Sequence, residues 1–246
     1  MEFVVECDRL TRAFGRRVAV DALTLQIPRG EVFGLIGPDG AGKTTTMRML
    51  TAIMAPSSGS ARVLGLDVTR DGEAIKERIG YVSQRFSLYG DLTVGENLEF
   101  FADLFQVPPD ERPERTERLL AASRMTPFIR RQARDLSGGM KQKLALACAL
   151  IHTPEVLFLD EPTTGVDPVS RRDFWRILYG LVGDGMTLVV STPFMDEAVR
   201  CHRIALMHLG RMLMCDTPDA IRARHPDEVD LEAAFIRLIR DTESSS

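Results

Sequence analysis

The sequence predicts an α/β fold built on a mostly parallel β-sheet. A glycine-rich loop, Gly37–Thr44, separates the apolar run Val32–Ile36 from a helical pattern. Much later in the chain, Asp160 and Glu161 directly follow the apolar run Val156–Leu159. Strand and helix patterns alternate around both motifs, which is typical of a parallel sheet covered by helices.

Length and composition are those of a globular protein with a sizeable core. The chain has 246 residues, of which 44% are hydrophobic and 27% charged, and its net charge is −4. The acidic balance argues against a nucleic-acid partner. No apolar run reaches the roughly 18 residues of a transmembrane helix, and the first residues lack a signal-peptide pattern. Because the four cysteines are widely scattered, we expect reduced thiols in a cytoplasmic protein.

The loop Gly37–Thr44 has the order GxxxxGK[ST] of a phosphate-binding loop. Glycines let backbone N–H groups curl around an anion, and the following helix directs its positive end towards it. Lys43 can reach the β- and γ-phosphates, and the Thr44 hydroxyl can ligate Mg²⁺. A plain glycine-rich turn with a surface lysine does not explain the strand–loop–helix context. The predicted nucleotide-binding residues here are Gly37, Pro38, Asp39, Gly40, Ala41, Gly42, Lys43, Thr44 and Thr45.

Asp160 and Glu161 lie at the carboxyl end of a predicted buried strand, where open α/β sheets bind ligands. Asp160 can hold Mg²⁺ there, directly or through water, and Glu161 can orient or deprotonate an attacking water. Adjacent acids are common on surfaces, but a pair directly after an apolar strand is much less so. Gln84 ends another predicted strand, Ile79–Gln84, and can reach a metal or a phosphate-bound water. A lone glutamine is more often a surface amide.

The segments before the helical region are predicted to be mainly strands. Residues 1–30 have the pattern of short strands with turns. Phe14, within them, can stack on an adenine ring, although an isolated phenylalanine more often packs in a core. A further strand is predicted at Ala61–Gly65 and a charged helix at Asp71–Arg78.

Residues 86–150 change character and predict a helical insert separate from the α/β core. Thr93, with a glutamate three positions later, has the pattern of a capping box at a helix start. A second helix is predicted at Glu111–Ser123 and a third at Lys143–Ile151, just after Ser137-Gly138-Gly139. Glycines at a helix start favour anion binding.

The last third of the chain returns to alternating strands and helices, followed by one amphipathic helix and a loose tail. The predicted elements are a helix at Arg171–Leu181, a strand at Met186–Ser191, a helix from Asp196 through Cys201, a strand at Ile204–Met207, an amphipathic helix around Leu231–Ile239 and a tail at Asp241–Ser246.

These motifs, in this order, resemble those of ATP-binding cassette (ABC) ATPases over nearly the whole chain. Gln84 matches the family's glutamine loop, Leu136–Met140 its signature motif, Thr164–Asp167 its D-loop and Phe14 its adenine-stacking aromatic. The resemblance implies a P-loop NTPase (RecA-like) core, an N-terminal antiparallel β subdomain and an α-helical insert. It divides the chain into a core with the β subdomain (1–85 and 151–215), a helical signature subdomain (86–150) and a C-terminal helix and tail (216–246).

The resemblance also implies the chemistry. ATP and Mg²⁺ are the expected cofactors, with Glu161 as the catalytic carboxylate, assisted by Lys43 and Gln84. Two cassettes, in a homodimer or a heterodimer, are expected to sandwich two ATP molecules. Each site takes its phosphate loop from one chain and its signature motif from the other. The implied magnesium ligands are Thr44, Gln84 and Asp160, and the implied signature-motif contacts to ATP are Ser137, Gly138 and Gly139.

Within the family the chain looks most like the ATPases of ABC-2-type drug exporters. This implies membrane-spanning permease subunits that bind a groove between the core and the helical insert, around Gln84–Tyr89. It places the chain on the inner face of the cell membrane. The stretches that carry this resemblance are Leu136–Lys143, Gly165–Pro168, Ser191–Glu197 and Leu231–Ile239.

Two positions depart from the family pattern. Asp39 replaces the usual asparagine, which places an extra negative charge near the phosphates, and we expect a mild effect. Pro193 replaces the switch histidine that contacts the γ-phosphate, and proline offers no side-chain donor.

Three functions therefore stay open. The first is an ATPase subunit that powers export, since Lys43 and both acids, Asp160 and Glu161, are present. The second is a hydrolysis-impaired cassette, suggested by Pro193, which pairs with a competent one. The third is a soluble ABC protein acting on ribosomes or DNA, which the single cassette and the acidic balance disfavour.

Overall fold

The computed structural model describes residues 2–84 and 88–244. Two β-sheets and nine α-helices make up this part of the chain. The strands are β1 (Phe3–Phe14), β2 (Arg17–Pro28), β3 (Val32–Ile36), β4 (Ser58–Val63), β5 (Leu66–Asp67), β6 (Ile79–Val82), β7 (Val156–Asp160), β8 (Thr187–Thr192), β9 (Arg203–His208) and β10 (Arg211–Asp216). The helices are α1 (Lys43–Leu50), α2 (Gly72–Arg78), α3 (Val94–Leu104), α4 (Arg112–Ser123), α5 (Gly138–Leu150), α6 (Pro168–Gly183), α7 (Met195–Ala198), α8 (Pro218–Ala223) and α9 (Leu231–Ser244).

The first sheet is antiparallel, with the order β2-β1-β4-β5. The short strands predicted for residues 1–30 are in fact two strands of twelve residues each, joined by a tight turn at Gly15. Register shifts, one of them between Cys7 and Leu10, break the alternation of apolar residues along the pair. A β-bulge of this kind interrupts the sequence pattern without ending the strand.

The second sheet has the order β10-β9-β3-β8-β7-β6, and all of its pairs are parallel except β9 with β10. Its central strands are buried on both faces, which explains their continuous apolar runs. The predicted α/β fold with a mostly parallel sheet and an N-terminal antiparallel sheet is confirmed. The edge strand β10 was not predicted, because its side chains are half-exposed and do not alternate.

The helices α3, α4 and α5 pack together around an apolar cluster of their own, which includes Leu98, Leu120 and Leu144. The predicted capping box is present, because Thr93 accepts the Glu96 N–H and Glu96 accepts the Thr93 N–H. The third predicted helix begins earlier than expected: α5 starts directly after Ser137, whose hydroxyl caps it.

The C-terminal predictions need three corrections. The helix predicted from Asp196 is the single turn α7. Within the described part of the segment predicted to hold one helix, residues 216–244, there are two helices, α8 and α9. The predicted loose tail is helical as far as Ser244, because an apolar stripe that includes Leu231 and Phe235 anchors α9 on the core cluster. Within the described residues, no helix has both the length and the apolar character needed to cross a membrane.

Glu31, just before β3, provides a test of the core electrostatics. Its side chain is 12% exposed and lies 3.7 Å from the Arg203 guanidinium. Burial raises its pKa from 4.5 to about 7, and Arg203 only partly opposes this. The folded protein therefore binds the Glu31 proton more tightly than the unfolded chain does. The contribution of this proton to the free energy of unfolding is fully present below pH 4.5 and is lost as the pH rises towards 7.

Glu31→Gln is expected to remove this loss. Relative to wild type, the variant should gain roughly 1–3 kcal/mol in free energy of unfolding on going from pH 4.5 to pH 8. Urea unfolding at the two pH values measures the difference, and Glu73→Gln, at a side chain 88% exposed, is the control. An equal shift in both variants would contradict the assignment to Glu31.

Candidate functional site

The loop Gly37–Thr44 joins β3 to α1 and is packed closely against its neighbours. Gly40 and Gly42 have left-handed φ values of +79° and +102°. A Cβ atom on Gly42 would lie 2.5 Å from the carbonyl oxygen of Ala19 in β2, and one on Gly37 would lie 2.3 Å from that of Met207 in β9. The backbone of both sheets therefore fixes the path of the loop, and only glycine fits at these points.

Lys43 connects the loop to the acidic pair. Its ammonium group is buried and donates to the carbonyl oxygens of Gly37 at 2.8 Å and Pro38 at 3.0 Å. It also lies 3.2 Å from Glu161 Oε1, and both side chains are at most 7% exposed. The two motifs, more than a hundred residues apart in sequence, thus meet at one point of the sheet edge.

Asp160 is held from three sides at the end of β7. Its Oδ1 accepts hydrogen bonds from Ser191 Oγ at 2.6 Å and Thr44 Oγ1 at 3.1 Å, and its Oδ2 accepts from Tyr81 at 3.4 Å. Burial, together with the charge of Asp160, raises the pKa of Tyr81 to about 12. The phenol therefore stays protonated and remains a donor to Asp160 at neutral pH.

Glu161 follows in a left-handed conformation, with φ of +49°. Its N–H is shared between Ser191 O at 3.1 Å and Ser191 Oγ at 3.0 Å. Its Oε2 accepts from Gln84 Nε2 at 2.9 Å and Thr164 Oγ1 at 3.4 Å. Gln84, expected as a metal ligand, here contacts the predicted catalytic carboxylate through its amide nitrogen.

Several of the predicted residues line one cavity of about 490 Å³. Phe14, 45% exposed, lies at this cavity and carries the Arg12 guanidinium 4.7 Å from its ring centroid. An aromatic ring and a phosphate-type loop on one cavity suit a nucleotide, with the base near the ring. The lining residues are Phe14, Arg17, Ala19, Asp39, Gly40, Gly42, Lys43, Thr44, Thr45, Gln84 and Glu161.

The other predicted loop residues, Gly37, Pro38 and Ala41, do not line the cavity. The carbonyls of Gly37 and Pro38 instead hold Lys43, and Ala41 accepts the Gly210 N–H. Arg17 lies within 3.8 Å of the Cβ position of Gly40, so it brings a positive charge to the loop next to Asp39.

The signature-motif residues lie elsewhere on the surface. Ser137 and Gly138 are exposed at the start of α5, and none of the three residues lines the cavity. Gly139 is buried, and a Cβ atom there would lie 2.7 Å from Ser170 Cβ. Within this chain they are therefore not brought to the phosphate loop.

Sequence reasoning gave several residues no role in the site, although Thr164 was noted as part of the D-loop match. Arg17, Tyr81, Ser191 and Thr164 all contact the cavity or the acidic pair. Tyr81 lies in β6 and Ser191 in β8, the two neighbours of β7 in the sheet. Knowledge of the strand order would therefore have pointed to both residues.

The oxygen atoms around Thr44 fit a magnesium ion. The Thr44 hydroxyl and a carboxylate oxygen of Asp160 lie 3.1 Å apart. Hydroxyl and carboxylate oxygens are the hard donors that Mg²⁺ prefers, with water and phosphate oxygens completing its shell.

Comparisons with known proteins point to one family. A family model described as ABC transporter matches residues 20–164. The chain is 43% identical to the probable multidrug ABC transporter ATP-binding protein YbhF of Escherichia coli (strain K12), over 98% of this chain but only 42% of that protein. It is 38% identical to the Nod factor export ATP-binding protein I of Paraburkholderia xenovorans (strain LB400), over 99% of this chain and 84% of that protein.

Solved structures show the same similarity in three dimensions. One, titled as the ATP binding subunit of an ABC transporter, is 26% identical with a TM-score of 0.86, over 96% of this chain and 99% of that chain. Another, cbiO1 from Clostridium perfringens, is 27% identical with a TM-score of 0.83, over 91% and 92% of the two chains.

The two left-handed glycines of the loop, Gly40 and Gly42, give a matched test. Gly42→Ala is expected to lower the free energy of unfolding by about 2–4 kcal/mol, because it adds a backbone clash to left-handed strain. Gly40→Ala meets only the Arg17 side chain at 3.8 Å, so a loss of about 1 kcal/mol is expected. Chemical denaturation of both variants measures this, and equal losses would refute the role of the Ala19 contact.

Proposed function

Since this chain belongs to the ABC transporter family of ATP-binding proteins, we propose that it is the ATP-hydrolysing subunit of an ABC-2-type export system. ATP would close two cassettes on each other and so drive transport by separate membrane subunits. The contact between Lys43 and Glu161, beside Asp160 and Thr44, carries the proposal. The names of the relatives, multidrug and Nod factor export proteins, support the direction of transport.

The residues of the site suit each part of the reaction. The loop backbone and Lys43 bind the β- and γ-phosphates, and Lys43 exchanges its contact with Glu161 for phosphate oxygen. Glu161, no longer paired with Lys43 but still oriented by the hydrogen bond from Gln84, accepts a proton from the water that attacks the γ-phosphate. Thr44 and Asp160 would hold Mg²⁺, which supplies positive charge against the phosphates.

A second candidate function is a hydrolysis-impaired cassette paired with a competent one. Pro193 follows Thr192, whose carbonyl oxygen accepts the N–H of Gly37 at 3.3 Å. This position is therefore next to the phosphate loop but has no side-chain donor. His202 does not replace it, because its Nδ1 accepts the Val32 N–H at 3.0 Å at the opposite end of β3.

Steady-state ATP hydrolysis with Mg²⁺ distinguishes the two functions. Glu161→Gln should lower the turnover of wild type by about 100-fold or more, because it removes the base. Pro193→His should raise turnover by roughly 10-fold, because it restores a donor near the γ-phosphate.

The outcomes separate cleanly. Turnover in wild type that is lost in Glu161→Gln supports an ATPase in its own right. ATP binding without turnover in wild type, with recovery in Pro193→His, favours the impaired cassette. Turnover that survives in Glu161→Gln would count against both.

Two partners follow from this function. In a dimer of cassettes, the exposed Ser137 and Gly138 of this chain would contact the ATP that is bound to the phosphate loop of the second cassette.

We propose that permease subunits bind the cavity of about 730 Å³ between α1, α2 and the end of α3, where Ile53 and Leu104 are 54% and 57% exposed. The surface expected at Gln84–Tyr89 lies partly outside the described residues, which exclude 85–87.

The docking proposal is tested in cells that contain the whole transporter. Leu104→Asp places a charge on the apolar surface and should lower the membrane-bound fraction of the chain about 10-fold or more. ATP binding by the purified variant should be unchanged. Val229→Asp, at a side chain 90% exposed between α8 and α9, is the control. Equal membrane binding of both variants would place the permease elsewhere.

A further inference from the structure

Glu197 is a fully buried carboxylate that takes no part in the chemistry described so far. It lies in α7, four residues after Pro193, and has no exposed surface. Its Oε1 accepts hydrogen bonds from the Thr163 hydroxyl and, at 3.1 Å, from Trp175 Nε1. Its Oε2 accepts from Thr192 Oγ1 at 2.7 Å. A buried charge with several donors is held in one orientation.

The two threonines belong to the segments that flank the site. Thr163 lies two residues after Glu161, in a turn closed by the Thr164 N–H to Glu161 O bond of 3.3 Å. Thr192 is the last residue of β8, and its hydroxyl also accepts the Phe194 N–H at 3.1 Å. Glu197 thus connects the turn after the proposed base to the segment that contains Pro193.

Helix α6 is part of the same assembly. The Arg171 guanidinium lies 4.8 Å from the Phe194 ring centroid, 3.3 Å from Asp196 Oδ2 and 3.9 Å from Glu197 Oε1. Trp175, one turn further along α6, completes the contact with Glu197. The start of α6 and residues 194–197 therefore pack as one unit.

We propose that Glu197 is a positioning residue that makes residues 161–164 and 192–197 respond to nucleotide as a single body. The inference rests on the proposed binding of ATP. With Pro193 in place of a donor, the side chain at that position cannot tie the segment to the γ-phosphate. The ordering effect of nucleotide bound at the loop is instead transmitted to residues 192–197 through Glu161, Thr163 and Glu197, and through the backbone hydrogen bond between Gly37 and Thr192.

Hydrogen exchange of the full chain, with and without Mg²⁺ and a non-hydrolysable ATP analogue, tests this without requiring turnover. In wild type, the analogue should slow exchange in peptides that cover 161–167 and 191–197. In Glu197→Gln, the slowing of exchange by the analogue should be at least 5-fold smaller than in wild type, and in both peptides together. Its Kd for a fluorescent ATP analogue should change less than 3-fold, because Glu197 does not touch the cavity.

Matched variants separate positioning from a general loss of structure. Asp184→Asn, the same kind of carboxylate-to-amide change at an exposed residue just after the far end of α6, should keep the wild-type protection. Thr192→Val should lose it in both peptides and Thr192→Ser should restore it, since the hydroxyl is the group that Glu197 holds. The threonine pair answers the question even if Glu197→Gln does not fold.

Protection that survives in Glu197→Gln and Thr192→Val, or that is lost in only one peptide, would overturn the inference. So would wild-type protein that binds the analogue without slowing exchange in either peptide. A wild-type chain that does not bind the analogue at all would instead overturn the proposed function, and this inference with it.

Discussion

The buried ion pair between Lys43 and Glu161 is the contact on which the geometry of the candidate site depends. It brings the end of β3 and the end of β7 to one point, although β8 lies between them in the sheet. Charges that leave water need polar partners, and Gly37, Pro38 and Gln84 supply them. The strand order and the close packing of Gly37 and Gly42 against the two sheets place the groups that make this pair possible.

Much of the fold could be predicted because its signals are local. The run Val156–Asp160 and the phosphate-loop motif are each visible within a few residues. Ser191 and Tyr81 have no such signal, since they meet Asp160 from 31 and 79 positions away. The strand β10 was missed for another reason: at a half-exposed sheet edge, burial imposes no pattern on the sequence.

The acids at this end of the sheet fall into two kinds. Asp160 and Glu161 share their oxygens with groups that a ligand can replace, such as the Thr44 hydroxyl and the Lys43 ammonium. Glu197 is enclosed, and its oxygens accept from the side chains of Thr163, Trp175 and Thr192, away from the cavity. The first kind supplies reactivity and the second fixed geometry, and a sequence does not distinguish them, because the difference lies in what surrounds each carboxylate.

The hydrogen bond from Trp175 to Glu197 has a practical consequence. This chain has one tryptophan, so its tryptophan emission, excited at wavelengths that tyrosine does not absorb, comes from a single indole whose N–H donates to the Glu197 carboxylate behind the site. The excited state of an indole is sensitive to a nearby charge. The native protein therefore carries its own optical label, without dye or engineered probe, at the place where the segments around the cavity join.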